Sequence, residues 1–163
     1  MRFVYAPWRL PYVQSQKTRE GCVFCRAFSD EPSVENLVLY RDGQIAVMLN
    51  RYPYTNGHML VIPRAHADTL TALDAGTRAA CAEALAFCET LLRRVYRAQG
   101  VNLGMNLGEA GGAGITDHLH WHALPRWSGD TNFIATIGGT RVLPEDLASA
   151  FEKLRGEFPE RIG

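Results

Sequence analysis

The sequence has no excess of charge of either sign and no long apolar run. Its 163 residues contain 17 Lys and Arg against 17 Asp and Glu. Because a balanced charge does not favour a phosphate-coated partner, we expect neither nucleic acid nor an anionic membrane surface as a partner. No stretch reaches the roughly 18 apolar residues of a membrane-spanning helix. The N-terminus, interrupted by Pro7 and Pro11, lacks the apolar core of a signal peptide. The expected compartment is therefore the cytoplasm.

Cysteine is also scarce, with four residues in the chain. Without an export signal, such cysteines are typical of reduced thiols or metal ligands and not of a disulfide framework. Cys22 and Cys25 form C-x-x-C, a spacing that lets two thiolates share one tetrahedral zinc ion. Redox dithiols use the same spacing, but at a helix start in a thioredoxin-like order that this chain does not show. Cys81 and Cys88 are interpreted as small core residues on one helix face.

Three of the five histidines, His118, His120 and His122, alternate along the stretch "HLHWH". On a strand, alternate side chains share a face, so the three imidazoles are expected to point the same way. Such a row serves two chemistries. The imidazoles converge on a catalytic zinc that keeps an open position for water, or a neutral imidazole attacks phosphorus while a second donates a proton to the leaving oxygen.

A glycine-rich loop, "NLGEAGGAGITD", leads directly into this row. Its glycines let the backbone approach a ligand closely and turn N–H groups inward, so Gly112, Ala113 and Gly114 are predicted to contact phosphate oxygens. Asn106, just before the loop, adds a side-chain amide. Loop and histidines together favour phosphate chemistry over a hydrolytic metal.

The length predicts one domain covering residues 1–163, with an irregular arm over residues 1–36 that carries the C-x-x-C pair. Strands are predicted in "NLVLYRD" and "QIAVMLN", joined by a turn at Asp42-Gly43 because glycine tolerates positive φ. Further strands are predicted in "HMLVIP", "VNLGMNL" and "DHLHWHALP".

The helices follow from composition and capping residues. One long helix is predicted from an N-cap at Asp74 to a stop at Gly100. A short helix, opened by Pro144, is predicted within a tail over residues 141–163. The clustered strands indicate an α+β fold, in which an antiparallel sheet of about five strands carries the long helix.

With these residues in view, the chain resembles the histidine triad superfamily, whose signature is His-φ-His-φ-His-φ-φ with φ apolar. The stretch "HLHWHAL" fits every position. "LNRYPYTNGHMLVIPRAH" resembles the family's strand-loop-strand, and "GMNLGEAGG" resembles its phosphate loop. "PRWSGDTNFI" and "TRVLPEDL" resemble the branch of diadenosine tetraphosphate phosphorylases and fragile-histidine-triad proteins. The resemblance covers roughly residues 20–148.

The resemblance implies a histidine triad fold, a homodimer and a small-molecule nucleotide substrate. The implied activity is a nucleotidyl hydrolase or transferase that cleaves dinucleoside polyphosphates through a nucleotidyl-histidine. His120 would be the nucleophile and His122 would assist the leaving group. His58, Asn50 and Asn106 would border the nucleotide, and Trp127 would either stack on a base or serve in packing. For the two asparagines, turn and strand-edge capping is the alternative interpretation.

Two further expectations come from the same resemblance. In zinc-bearing bacterial relatives, the remaining metal ligands resemble His66 and His118, so the implied set is Cys22, Cys25, His66 and His118, holding one structural Zn²⁺ per chain. Relatives often carry Ser, Thr or Gln in the phosphate loop. Here Thr116 is the nearest hydroxyl, which leaves hydrolysis and phosphorolysis both open.

The alternatives to this activity belong to three classes. A nucleoside phosphoramidate hydrolase would use the same histidine with a nitrogen leaving group. A non-catalytic nucleotide-binding module would retain the fold without turnover. A zinc hydrolase would use all three alternating histidines as ligands.

Overall fold

The structure, a computed structural model, describes residues 21–140 and 142–162. The first 20 residues of the predicted arm lie outside the described residues. The elements are α1 (Val23–Arg26), β1 (Val38–Arg41), β2 (Ile45–Leu49), β3 (Met59–Pro63), a 3-10 helix (Leu70–Ala72), α2 (Ala75–Tyr96), β4 (Gly100–Met105), β5 (Trp121–Arg126), α3 (Phe133–Ile137) and α4 (Leu147–Arg155). No helix within the described residues is both long and apolar enough to cross a membrane.

The five strands form one antiparallel sheet in the order β1-β2-β3-β5-β4. This confirms the predicted fold class and strand number. Residues in register across the middle of the sheet share a face, and one such row is Met48, Leu60, His122 and Gly104. The row places a histidine of the triad beside two apolar side chains and a glycine without a side chain.

The sheet has two covered faces because both faces of its central strands are apolar. One face packs against α2 and α4, through residues such as Val47, Val61 and Ala123. The opposite face carries a smaller apolar cluster that receives α1, and we call it the arm cluster. The arm cluster consists of Phe24, Ala27, Val38, Ala46, Met48, Leu60 and Ile62.

The turn between β1 and β2 lies where it was predicted, but for a different reason. Gly43 does not adopt a positive φ. Instead, the Asp42 carboxylate accepts hydrogen bonds from the backbone N–H groups of Gln44 and Ile45, at 2.7 and 2.8 Å. The aspartate side chain, and not glycine's conformational freedom, therefore forms this turn.

Helix α2 starts as predicted and ends earlier. The Asp74 carboxylate accepts from the backbone N–H of Thr77 at 2.8 Å, which makes it the N-cap. The helix ends at Tyr96 because Arg97 adopts the left-handed conformation, with φ of 50°. The prediction of a stop at Gly100 was wrong, since Gly100 is the first residue of β4 and pairs with Arg126.

Three other boundaries differ from the prediction. The Asp146 side chain caps α4, so Pro144 precedes the helix and does not open it. The short helices α1 and α3 were not predicted. The strand predicted in "DHLHWHALP" starts only at Trp121, so His118 and His120 precede it.

Candidate active site and metal centre

Four predicted ligands come together beside the arm cluster. The ligand atoms of Cys22, Cys25, His66 and His118 all lie within 4.8 Å of one another. The Cys22 Sγ and His118 Nδ1 atoms are 3.3 Å apart, and the Cys25 Sγ and His66 Nδ1 atoms are 3.2 Å apart. For Zn–S and Zn–N bonds of about 2.3 and 2.0 Å, a tetrahedron has S···N edges of about 3.5 Å. The donor set and its spacing therefore fit a tetrahedral zinc ion.

The second nitrogen of each histidine in this cluster has its own partner. His118 Nε2 lies 2.9 Å from the Pro63 carbonyl oxygen, which can only accept, so Nε2 carries the proton and Nδ1 keeps its lone pair. His66 Nε2 lies 3.6 Å from a carboxylate oxygen of Asp117. Such outer partners orient histidine ligands of metal ions. Burial, followed by the neighbouring Cys22 thiol, raises the pKa of Cys25 to about 11.

The next histidine of the row, His120, has the opposite tautomer. Its Nδ1–H donates to the His118 carbonyl oxygen at 2.9 Å, which leaves the Nε2 lone pair available. The residue is 6% exposed, and burial lowers its pKa below the usual value. A neutral imidazole with a free Nε2 is the form that can attack phosphorus.

His122 and His58 form a hydrogen-bonded pair with an assignable direction. The Tyr54 backbone N–H donates to His58 Nδ1 at 3.1 Å, so the proton of His58 lies on Nε2. That proton points to His122 Nδ1, at 2.8 Å, and His122 therefore carries its own proton on Nε2. Within the described part of the chain, this buried Nε2 makes no hydrogen bond. His122 Nε2–H is therefore a hydrogen-bond donor without an acceptor among the described residues.

Both members of the pair are held neutral. Burial, and then the neighbouring His122 and His120, lowers the pKa of His58 to about 3. Burial, and then His120, lowers the pKa of His122 to about 4. At neutral pH the proton on His122 Nε2 therefore belongs to an uncharged ring.

A cavity of about 910 Å³ opens over these histidines. The predicted site residues that line it are Asn50, Asn106, Gly114, His120 and His122, together with the metal ligands Cys22 and His66. His58 is not a lining residue, but it contacts three residues that are, namely Asn50, Tyr54 and His122.

The two asparagines both line the cavity and both hold protein structure. The Asn50 amide nitrogen lies 3.2 Å from His58 Nδ1, and its oxygen accepts from the Tyr52 backbone N–H at 3.0 Å. The Asn106 amide donates to the Gly112 carbonyl oxygen at 3.3 Å. The capping interpretation therefore applies to one end of each side chain.

The glycine loop is closed on itself. The N–H groups of Gly112 and Ala113 donate to the carbonyl oxygens of Glu109 and Gly108, at 2.9 and 3.1 Å. Gly111 has no room for a side chain, because a Cβ there would lie 2.3 Å from the Leu107 carbonyl oxygen. Of the three loop residues predicted to contact a nucleotide, Gly114 lines the cavity, whereas the N–H groups of Gly112 and Ala113 face the loop.

Trp127 lies away from the cavity. Its indole Nε1–H donates to the Tyr96 carbonyl oxygen at the end of α2, at 3.1 Å. The structure therefore places this tryptophan in a packing position and does not bring it to the other predicted site residues.

Two aromatic residues beside the histidines were not predicted. The Tyr54 ring is stacked on His122 with ring centroids 5.8 Å apart, and the Phe24 ring lies 4.8 Å from that of His120. Both residues line the cavity. The sequence held one indication of this, since Phe24 lies between the two cysteines and Tyr54 lies four residues before His58.

Comparison with known proteins gives consistent similarities. A family model described as HIT domain matches residues 31–129, a range that begins after the C-x-x-C pair. An AP-4-A phosphorylase from Mycobacterium tuberculosis is 33% identical over 165 residues, covering 95% of this chain and 83% of that protein. Adenylylsulfatase HINT3 from Arabidopsis thaliana is 30% identical over 114 residues, covering 70% and 56%.

A solved structure adds a similarity in fold. The Zn-bound histidine triad family protein from Mycobacterium smegmatis superposes with a TM-score of 0.61 at 30% identity, covering 84% of this chain and 92% of that one. The similarity therefore extends over most of both chains.

Proposed function

Because the chain belongs to the HIT domain family, we propose that it cleaves dinucleoside polyphosphates, such as diadenosine tetraphosphate, at the α-phosphorus. The reaction would pass through a nucleotide bound covalently to His120. The acceptor that resolves this intermediate would be orthophosphate or water. The name of the M. tuberculosis relative, AP-4-A phosphorylase, supports this substrate class.

The observation that carries the proposal is the free Nε2 of His120. Its ring is neutral and buried at the cavity, with Nδ1–H committed to the His118 carbonyl oxygen. In the first step, Nε2 forms a bond to the α-phosphorus while the bond to the bridging oxygen breaks and ATP departs. This is nucleophilic catalysis by an imidazole that needs no prior deprotonation.

His122 is the proposed hydrogen-bond donor in that step. Its Nε2–H has no protein partner in the described residues, and His58 donates to its other nitrogen. The Nε2–H donates a hydrogen bond to the departing oxygen and stabilises its negative charge, and ATP leaves as an anion. In the second step, the attacking water or phosphate bonds to phosphorus, releases its proton to solvent, and displaces His120 as a neutral imidazole. Water yields AMP, and orthophosphate yields ADP.

The cavity suits a nucleotide in size and lining. Its volume of about 910 Å³ lies in the range of small-molecule sites, which are about 300–1,000 Å³. We propose that Asn50 and Asn106 offer side-chain groups to the nucleotide, with Gly114 and Thr116 beside the phosphates. All four residues line the cavity.

The Cys22, Cys25, His66 and His118 cluster is proposed to hold one zinc ion per chain with a structural role. Zinc would neutralise the two thiolates and tie α1 to the segment that carries His118. We expect Cys22→Ala to lose the metal and to lower the melting temperature by roughly 5–10 °C. Cys81→Ala, a buried thiol in the core, is the matched control and should retain the metal. Elemental analysis of both variants measures this, and a metal-free, fully folded wild-type protein would contradict it.

We propose that two copies of the chain form a homodimer through the edge of the sheet. Strand β4 is an edge strand, and its Leu103 is 45% exposed. Such an edge can pair with a second copy. Sedimentation velocity should give a dimer for the wild-type protein and a monomer for Leu103→Lys. A wild-type monomer at all concentrations would contradict it.

The activity is tested by incubating the protein with diadenosine tetraphosphate, with and without orthophosphate, and separating the products. ADP and ATP formed only with phosphate identify a phosphorylase, and AMP and ATP formed in both reactions identify a hydrolase. Adenosine phosphoramidate, supplied in parallel, tests the alternative with a nitrogen leaving group. No turnover of any of these substrates would contradict the proposed function.

A further inference from the structure

We propose that Phe24 is a positioning residue for the nucleophile, which makes the C-x-x-C arm part of what orients His120. This inference rests on the proposed role of His120. It extends the role of the arm beyond a structural tie, because the residue between the two cysteines contacts the reacting imidazole itself.

The fold holds Phe24 in one place. It lies on the single turn of α1, between Cys22 and Cys25, and is 3% exposed. Its ring packs in the arm cluster with Met48 and Leu60, which are also part of the sheet row that contains His122. Phe24 therefore reaches the site from the arm while its position is set by the sheet.

The ring contacts two histidines with different roles. Its centroid lies 4.8 Å from that of His120, at an interplanar angle of 44°. It lies 5.5 Å from that of His118, in an edge-to-face arrangement of 82°. Both separations lie within the range at which aromatic rings attract one another beyond simple burial. One phenylalanine therefore packs at once against a proposed metal ligand and against the proposed nucleophile.

The orientation of the His120 imidazole depends on packing as well as on its hydrogen bond. The hydrogen bond from Nδ1–H to the His118 carbonyl oxygen orients the ring, and packing against the ring opposes the rotation about Cβ–Cγ that would break this bond. Phe24 packs against its face, and His122 meets it at 5.3 Å in an edge-to-face arrangement. With Phe24 removed, the side of the His120 ring that faces the arm has no packing partner from Phe24. A displacement of about 1 Å in a reacting group can slow a reaction about 100-fold.

The same geometry connects the metal cluster to the nucleophile. Cys22 and Cys25 hold the two ends of the turn that carries Phe24, at 3.3 and 3.6 Å from His118 Nδ1. Loosening this turn moves Phe24, whereas loosening another part of the arm does not. This difference supplies a control.

The control is Phe28, an aromatic residue on the same arm and packed against the same arm cluster. Arg64 lies over its ring at 5.8 Å, and within residues 21–140 and 142–162 its ring contacts no histidine ring. We compare Phe24→Ala, Phe24→Leu and Phe28→Ala in steady-state kinetics with the substrate that the wild-type protein turns over.

We expect Phe24→Ala to lower kcat by about 10- to 100-fold. Because Phe24 also lines the cavity, a rise in KM with unchanged kcat would indicate contact with the substrate and not positioning. Phe24→Leu should recover much of the loss, because leucine restores bulk against the imidazole. Phe28→Ala should stay within about threefold of wild type. Wild-type kcat in Phe24→Ala, or equal losses in Phe24→Ala and Phe28→Ala, would overturn the proposal.

A second readout does not depend on turnover. With five histidines in the chain, the ring nitrogen signals can be assigned by 15N NMR, where the tautomer of each ring is read directly. Phe24→Ala should mix the two tautomers of His120, Phe24→Leu should keep the wild-type tautomer, and His58 should be unchanged in both. Wild-type His120 nitrogen shifts in Phe24→Ala would overturn the positioning role. If the wild-type protein turned over no nucleotide while these signals responded as expected, the proposed function would fail and the positioning role would stand.

Discussion

His118 and His120 lie two residues apart and have opposite tautomers. The Nε2–H of His118 donates a hydrogen bond to the Pro63 carbonyl oxygen, and its Nδ1 faces two cysteines. The Nδ1–H of His120 donates a hydrogen bond to the His118 carbonyl oxygen, and its Nε2 is free at the cavity. In each ring, the nitrogen that faces a carbonyl oxygen carries the proton, because that oxygen can only accept, and the other nitrogen keeps its lone pair. The proposed metal ligand and the proposed nucleophile therefore differ in tautomer.

The largest expected effect on turnover comes from substituting these two histidines one at a time. His120→Asn should lower turnover by about 10⁴-fold or more, since it removes the nucleophile, and should keep both the metal and nucleotide binding. His118→Asn should lose the metal. Turnover assays, elemental analysis and nucleotide titration measure these outcomes. Normal turnover in His120→Asn, or metal loss in that variant alone, would reverse the assignment.

His122→Ala should have the next largest effect, about 10²- to 10³-fold on turnover, because it removes the hydrogen bond to the departing oxygen. The loss should grow with a phenyl ester of AMP, because phenolate is a poorer leaving group than ATP and depends more on that hydrogen bond. Comparing the two substrates in the wild-type protein and the variant measures this. An equal loss with both would indicate that His122 bonds to another oxygen of the phosphate and not to the departing one.

The tautomers at the site depended on contacts that the sequence could not supply. Alternation in "HLHWH" predicted that the three histidines lie together, and the turn residues and apolar runs predicted five strands and the N-cap at Asp74. The direction of each proton depends on Pro63 and on the Tyr54 backbone N–H, which come from other elements. Helix α1 has four residues, too few for a periodic pattern.

The glycine loop gives a different lesson. Its glycines predicted a backbone that bends tightly, and Gly112 has a φ of 88°. The predicted direction of the N–H groups was a separate matter, because each one can also bond to a carbonyl group of its own loop. Gly112 and Ala113 do so. Composition thus predicted the bend, and tertiary geometry decided where the donors point.

A smaller effect comes from the neutral pair His58 and His122. Their pKa values of about 3 and about 4 lie below the value of about 6.5 expected in the unfolded chain. As the pH falls from 6.5 toward 4, the unfolded chain takes up protons that the folded chain does not, so the free energy of unfolding falls.

Urea denaturation at pH 7.5 and pH 4.5 measures this loss. Because His58→Gln removes one of the two groups and leaves the metal cluster in place, its loss between the two pH values should be smaller than that of wild type. An equal loss in both proteins would contradict the role of His58.

The smallest expected effect concerns Trp127. Its indole bonds to the end of α2 and lies away from the cavity. Trp127→Phe should therefore change KM for the nucleotide by less than about twofold, although the sequence alone suggested a base-stacking role as one alternative. Steady-state kinetics measure this, and a tenfold rise in KM at unchanged stability would favour stacking on the base.

The central claim is that His120, and neither His118 nor His122, bonds to the α-phosphorus. The most direct measurement is to mix the protein with diadenosine tetraphosphate, quench in base, where a phosphorus–nitrogen bond survives, and map the modified peptide by mass spectrometry. We predict an AMP group on His120 that is present during turnover and disappears once the diadenosine tetraphosphate is consumed. AMP on another residue, or turnover with no adduct formed, would contradict the account.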